Sequence, residues 1–253
     1  MLFKTDKIQE AIEFIKTHEP VQGYDVKFSG GKDSIVLYDL VKKANVKHTV
    51  HYNWTTIDPP ELLKFIRSEY PEVEWIKPKH NFYQYLLKFG LPTKQRRWCC
   101  AKLKHRVGSR KTSKHKLVGV RAEESPKRAS RDRVFTSKWQ NDIAYAPLLY
   151  FTEADIWDYI ESHNLKYPSL YDEGFSRLGC VICPFICRNG ILQQHKSRWS
   201  RMYQYFEKTV ERLYAQKREY YVSQGIMSHS ELLDCWYVSK SVILEDITQL
   251  SLF

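Results

Sequence analysis

Apolar residues recur at Ile8, Ala11, Ile12 and Ile15, the i, i+3, i+4, i+7 spacing of one helix face. Tyr24–Phe28 reads as a short strand. After a polar turn, Ile35, Leu37, Tyr38, Leu40 and Val41 form the apolar stripe of a second helix near 34–44. His48–Tyr52 is a second strand with a polar end, 53–58. Pro59-Pro60 then suits a helix start that Glu61–Arg67 continues. Val73–Ile76 reads as a strand, Phe82–Phe89 as a helix, and Lys116–Val120 as a strand running into another polar loop. Thr152, followed by Glu153 and Asp155, opens a helix whose apolar face is Ile156, Tyr159 and Ile160. From Ser197 onward the pattern is helical and aromatic-rich, through Trp199, Tyr203, Tyr205, Phe206, Leu213 and Tyr214, and reads as a helical cap.

Strands alternating with helices predict an α/β fold: a mostly parallel twisted sheet with helices on both faces, plus a C-terminal helical segment. The expected division is a nucleotide-binding domain with the cysteine site over 1–190 and a helical extension over 191–253. In such sheets ligands gather at the carboxyl ends of the strands. The polar loops 29–34, 53–58 and 119–128 are therefore expected to converge there. The 253 residues contain no run of 18 apolar positions, so no membrane association is expected. Met1–Lys7 has no signal-peptide core, which makes a cytoplasmic location the expectation.

Charge sharpens this picture. Between Lys94 and Lys138 there are 16 Lys/Arg against three acidic residues, a local +13 in a chain of +11. That imbalance points to an anionic substrate or a nucleic acid. The first polar turn is Ser29-Gly30-Gly31-Lys32-Asp33-Ser34. Its two glycines let backbone N–H groups approach an anion at a helix start, and Lys32, Ser29 and Ser34 add a cation and hydroxyl donors. This suits a nucleotide's phosphates, although the spacing is not that of a Walker A loop.

Six cysteines are grouped rather than scattered: Cys99-Cys100, Cys180-Val-Ile-Cys183, Cys187 and Cys235. Cys-x-x-Cys lets two thiolates of one turn meet a single ion or cluster, and a second pair can complete four ligands. Zinc and an iron–sulfur cluster both suit such a donor set, and spacing alone leaves the choice open. Cys235, isolated beside Trp236, reads as a packed structural thiol.

The spelling SGGKDS resembles the PP-loop of the ATP pyrophosphatases and, more closely, that of the phosphoadenosine-phosphosulfate (PAPS) reductase family. Arg97-Trp98-Cys99-Cys100-Ala-Lys102, Gly119-Val-Arg121-Ala-Glu-Glu124-Ser125-Pro-Lys-Arg128 and Tyr171 to Pro184 resemble further segments of that family, in order. The resemblance implies an adenine nucleotide alpha hydrolase-like fold. It implies ATP with Mg²⁺ held by Ser29, Gly30, Gly31, Lys32, Asp33, Ser34, Thr55, Thr56, Asp58, Gly119, Arg121 and Ser125. Catalytic roles would fall to Lys32, Asp33, Arg121 and Arg128. Cys99, Cys100, Cys180 and Cys183 would hold a [4Fe–4S] cluster, zinc being the alternative. Cys187 would be a substitute ligand or a sulfur acceptor.

Sulfonucleotide reductases carry a nucleophilic cysteine in a Glu-Cys-Gly-(Leu/Ile)-His motif of their tail, and Asp234-Cys235-Trp236 departs from it. The segment Thr55-Thr56-Ile-Asp58-Pro-Pro resembles instead that of the ATP pyrophosphatases of DNA phosphorothioation systems, and the basic window suits a polyanionic acceptor. The expected activity is thus adenylylation of a phosphate for sulfur transfer. The implied partners are a nucleic acid, DNA foremost, or a sulfonucleotide, together with a cysteine desulfurase or other sulfur-transfer proteins. The alternatives are PAPS or APS reduction and a non-catalytic nucleotide-binding subunit.

Overall fold

The computed structural model describes residues 2–105, 107, 113–137, 142–187 and 190–238, and part of the basic window and of the expected C-terminal extension lies outside them. The strands are β1 (Tyr24–Lys27), β2 (His48–Asn53), β3 (Glu74–Ile76), β4 (His115–Leu117), β5 (Val134–Thr136) and β6 (Ile143–Tyr145). The helices are α1 (Leu2–Thr17), α2 (Lys32–Ala44), α3 (Pro60–Glu69), α4 (Phe82–Phe89), α5 (Trp98–Cys100), α6 (Pro126–Ala129), α7 (Glu153–Ser162), α8 (Ile191–Arg198), α9 (Ser200–Gln216), α10 (Arg218–Ser223) and α11 (His229–Tyr237). None of the described helices is long and apolar enough to cross a membrane.

Two compact units share the chain. The first takes 1–54, 60–77 and 105–179; the second takes 55–59, 78–104 and 180–253. These units do not follow the expected 1–190 and 191–253 division. The short segments 55–59 and 78–104 join the C-terminal helices through pairings such as Val181 N–H to Ile57 O (2.8 Å) and Trp236 Nε1–H to Pro92 O (2.7 Å).

In the first unit the six strands are ordered β3-β2-β1-β4-β6-β5, all parallel except β5. The chain runs outward from β1 to β3 and then returns to place β4 on the other side of β1. The order therefore reverses between β1 and β4, which is where such sheets open a crevice at their carboxyl ends. Pairing sets Val50, Val26, Leu117 and Tyr145 in one row across the sheet. This row meets Ala11 and Ile15 of α1, the stripe of α2, Leu62 and Ile66 of α3, and Ile156, Tyr159 and Ile160 of α7 in one apolar core. Neighbouring positions point to the other face, so Asp25, Lys27, His51 and Lys116 gather there. Asp25 is fully buried and receives Lys116 Nζ (2.7 Å), Lys27 Nζ (2.7 Å) and His51 Nδ1 (2.8 Å).

The second unit is helical. Phe82 of α4 stacks on Trp98 of α5 with ring centres 5.4 Å apart, and Phe206 of α9 packs against Trp236 of α11 at 5.0 Å. α4 begins with a reciprocal cap, Asn81 Oδ1 accepting from Gln84 N–H and Gln84 Oε1 from Asn81 N–H.

Candidate functional site

Loop 29–34 is built by its glycines. Gly30 has φ +72°, in the left-handed region, and a Cβ there would lie 2.7 Å from Ile66 Cδ1. Gly31 caps α2, and a Cβ on it would stand 3.2 Å from the Tyr171 hydroxyl. Ser34 Oγ donates to Gly31 O (2.8 Å) and accepts from Ser29 N–H (3.1 Å), which closes the turn. Lys32 N–H donates to Tyr171 Oη (2.9 Å). Ser34 and Ile35 N–H both return to Gly31 O. No described residue accepts from the N–H groups of Gly30 and Asp33, so these donors face the loop's mouth at the positive end of α2.

The Lys32 side chain is buried. Its Nζ donates to Ser176 O (2.7 Å), pairs with Glu153 (3.0 Å) and lies 5.1 Å and 5.8 Å from the ring centres of Tyr171 and Trp157. The hydrogen bond from Lys32 holds the Glu153 carboxyl below its ordinary range. Burial pushes the Tyr171 phenol up, so it stays protonated as the partner of the Lys32 N–H.

β4 delivers the second loop to the same place. Gly119 passes so close to α2 that a Cβ would sit 3.1 Å from Asp33 O. Arg121 follows, buried, with Nε 2.6 Å from Asp33 Oδ1 and Nη1 2.5 Å from Glu123 Oε2. Glu124 accepts from Arg121 N–H (3.1 Å) and pairs with Arg128. Glu123 also accepts from Glu153 N–H (2.7 Å), which ties this loop to the start of α7. Ser125 caps α6, its carbonyl accepting from Arg128 N–H (2.8 Å). Ser29, Gly30, Gly31, Lys32, Asp33, Ser34, Gly119, Arg121, Ser125 and Arg128 thus fall within one unit on two adjacent loops.

Thr55, Thr56 and Asp58 belong to the second unit. Asp58 Oδ2 accepts from Thr55 N–H (2.8 Å), Thr55 Oγ1 accepts from the Cys180 thiol (3.5 Å), and Thr56 Oγ1 accepts from Phe82 N–H (2.8 Å) at the start of α4. Cys99, Cys100, Cys180, Cys183 and Cys187 lie in that unit too, none of them in a disulfide. The hydrogen bond between Cys99 and Cys100 raises the first thiol and lowers the second, and the charges of Cys180 and Cys183 add to the rise at Cys99. Burial raises Cys180, opposed by the Lys104 ammonium that bonds it. The four thiols therefore sense one another, with Lys104 and Arg97 as counter-charges. Among the described residues no three His, Cys, Asp or Glu side chains converge on a point that would hold one metal ion.

Tyr171, Glu153, Glu123 and Ser176 had no role assigned from sequence. Glu153 reads locally as a helix-start acid, and Tyr171 and Ser176 reach Lys32 across 139 and 144 residues, with no local signal.

Residues 24–185 match the family description of the phosphoadenosine phosphosulfate reductase domain. An uncharacterised protein of Methanocaldococcus jannaschii is 28% identical over 234 residues, covering 86% of this chain and 48% of its own length. The chain thus spans about half the length of that relative. An adenosine 5'-phosphosulfate reductase of Lysinibacillus sphaericus is 26% identical over 193 residues, covering 72% of this chain and 83% of the reductase. Among solved structures, the PAPS reductase of Candida auris in a phosphate complex aligns with a TM-score of 0.53 at 17% identity, covering 68% of this chain and 87% of that one. This last likeness is one of fold.

Proposed function

The chain belongs to the phosphoadenosine phosphosulfate reductase family, and on that premise we propose that it is an ATP pyrophosphatase that activates a phosphate for sulfur transfer, with DNA as the foremost acceptor. The observation that carries the choice over reduction is Cys235. It is buried on α11 beside Trp236, whose indole is bonded to Pro92 O, so it is packed rather than offered on a free arm. Attack on a sulfonucleotide's sulfur needs a mobile, exposed thiolate.

In this reading the triphosphate, with its Mg²⁺, lies on the Gly30 and Asp33 N–H groups at the start of α2. An acceptor oxygen attacks the α-phosphorus, the bond to the β-phosphate bridge breaks, and pyrophosphate leaves. Lys32 and Arg121 stand where charge develops on that leaving group, and Arg128 reinforces them through Glu124. A sulfur nucleophile then displaces AMP from the activated phosphate.

The all-thiol donor set of Cys99, Cys100, Cys180 and Cys183, with Lys104 and Arg97 beside it, fits a [4Fe–4S] cluster. A cluster spreads its ligands over several irons and needs no single-ion geometry. When bound, it would supply redox chemistry; Cys187, its sulfur 3.9 Å from Cys183 O, is the nearest substitute ligand.

A second reading, sulfonucleotide reduction, is favoured by the likeness to the Lysinibacillus reductase. The test offers anaerobically purified protein ATP, with and without DNA, and separately APS or PAPS with a thiol reductant. Pyrophosphate release supports the first reading. Sulfite release without pyrophosphate would overturn it.

A further inference from the structure

The basic window divides into two halves that differ in how their cations are satisfied. In the first unit Arg121 is paired by Asp33 and Glu123, Arg128 by Glu124 and Arg133 by Glu10, while Arg131 lies over the Phe135 ring. In the second unit Lys104 meets the Cys180 thiol, and other cations meet aromatic rings. From Lys88 to Lys104 the sequence holds six Lys/Arg and no Asp or Glu. Among the described residues no carboxylate lies within ion-pair distance of Lys88, Lys94, Arg97 or Lys102.

Three of these cations are set over aromatic rings instead. The Arg97 guanidinium is 5.4 Å from the ring centre of Phe185, which is 50% exposed. Lys88 Nζ and Lys102 Nζ each lie 5.6 Å from the centre of Phe89. Trp98, next to Arg97 in sequence, carries its buried ring 5.9 Å from Phe89. Lys94 Nζ is buried with no hydrogen-bond partner in the protein. Its charge lies beside the Cys187 thiol, so it stands behind the exposed cations rather than among them.

From this arrangement we propose that Lys88, Phe89, Arg97, Lys102 and Phe185 form a binding face for an unpaired nucleic-acid strand. The proposal deepens the sulfur-transfer reading, on which it rests, by placing the acceptor strand on the second unit. Cations alone would suit any polyanion. The exposed Phe185 ring, with the half-buried Phe89, adds a surface on which bases stack, whatever their sequence, and the surrounding charges meet the phosphates. Poly-glutamate and anionic vesicles offer the cations a partner but give Phe185 no base to stack on.

The test is fluorescence anisotropy of the full chain with a labelled single-stranded oligonucleotide, titrated at several salt concentrations. Wild type should bind with a strong salt dependence. Lys88→Glu/Lys102→Glu should weaken binding at least about ten-fold and lower the slope of log K against log salt by roughly 1.4, the loss of two single-strand phosphate contacts. Phe185→Ala should weaken binding about ten-fold while leaving that slope unchanged, because stacking releases no counterions. Circular dichroism melting checks that each variant folds; the altered side chains are exposed or half-exposed. Lys32→Ala, in the other unit, should bind the oligonucleotide within two-fold of wild type. If no ATP turnover is found but binding follows these side chains, the face stands and the activity assignment falls. Absent oligonucleotide binding, variants equal to wild type, or equal affinity for poly-glutamate or anionic vesicles would overturn the proposal.

Discussion

Replacing Lys32 with methionine separates a phosphate ligand from a structural tie. Methionine keeps most of the stem that packs against Tyr171 and Trp157. It gives up the hydrogen bond from its ammonium to Ser176 O, worth about 1.5–3 kcal/mol because the donor is charged. It also gives up the pairing with Glu153, whose side chain is 49% exposed, so solvent screening leaves that contact at about 0–1 kcal/mol. The two ring contacts add a few tenths to about 1 kcal/mol each. Against these losses, the variant no longer has to desolvate an ammonium. The net destabilisation should stay below about 2 kcal/mol, a melting shift of roughly 4–8 °C for a chain of this size. Turnover should behave differently, because a cation aimed at the leaving pyrophosphate contributes most in the transition state. Loss of such a donor costs about 10²–10³ in kcat. The assay pairs pyrophosphate release at saturating ATP with a thermal melt. Turnover within ten-fold of wild type, together with a large melting shift, would make Lys32 a strut rather than a ligand. Glu153→Gln is the complementary variant: it releases Lys32, and nucleotide affinity should rise, by no more than about five-fold, the ceiling for a half-exposed pair.

Gly30→Ala should destabilise the loop by about 2–4 kcal/mol, combining the left-handed backbone cost with crowding against Ile66 and Leu62, read by urea denaturation; a shift under about 0.5 kcal/mol would mean that the loop relaxes freely. Asp25→Asn should cost about 3–5 kcal/mol, since Lys27 and Lys116 lose the carboxylate they share. Burial opposes ionisation of Asp25, yet the bond from His51 and the charges of Lys27 and Lys116 hold its carboxyl well below the ordinary range. Its contribution is therefore present above the unfolded value, about 3.9, and is lost as pH falls toward the folded one. The acid limb of the wild-type stability curve should be steeper than that of Asp25→Asn, and superimposable limbs would refute the linkage. Anaerobically purified protein should be brown, Cys99→Ser and Cys180→Ser should lose the visible absorbance, and Cys235→Ser should keep it; a colourless, zinc-containing wild type would rule out the cluster.

Where local periodicity is strong, the sequence is legible. The stripes of α1, α2 and α7 and the apolar alternation of β1 and β2 locate those elements, and β1-turn-α2 places loop 29–34 at once. Loop 119–128 joins it because β4 returns beside β1, a consequence of parallel connectivity that the alternating pattern implies. β5 and β6 were not anticipated. β5 is a short edge strand preceded by Arg131 and Arg133, and β6 runs straight into Ala146-Pro147, so neither segment carries a sustained apolar pattern. Gly31 starts α2 at Lys32, two residues before the apolar stripe indicates. Thr56 illustrates a different limit: its hydroxyl caps α4 across 26 residues, so a polar loop residue resembling a ligand contact has a helix-capping partner that only the fold reveals.

The pairing of charges also changes how the nucleotide loops work. Arg121 and Lys32 are held by Asp33, Glu123 and Glu153, so an arriving phosphate must displace carboxylates rather than fill an empty positive pocket. Each displaced carboxylate then needs a counter-charge. A nucleotide that arrives with Mg²⁺ carries one, whereas the diester backbone of a nucleic acid, with its mobile monovalent counterions, does not. On the proposed function, the same electrostatics would admit a metal-bound triphosphate and discourage a polyanion from settling on the arginine loop. The ring-faced cations of 88–102 impose no such requirement. Glu153→Gln tests this division directly, because removing one of the guarding carboxylates should narrow the preference of the loops for metal-bound nucleotide over bare polyphosphate.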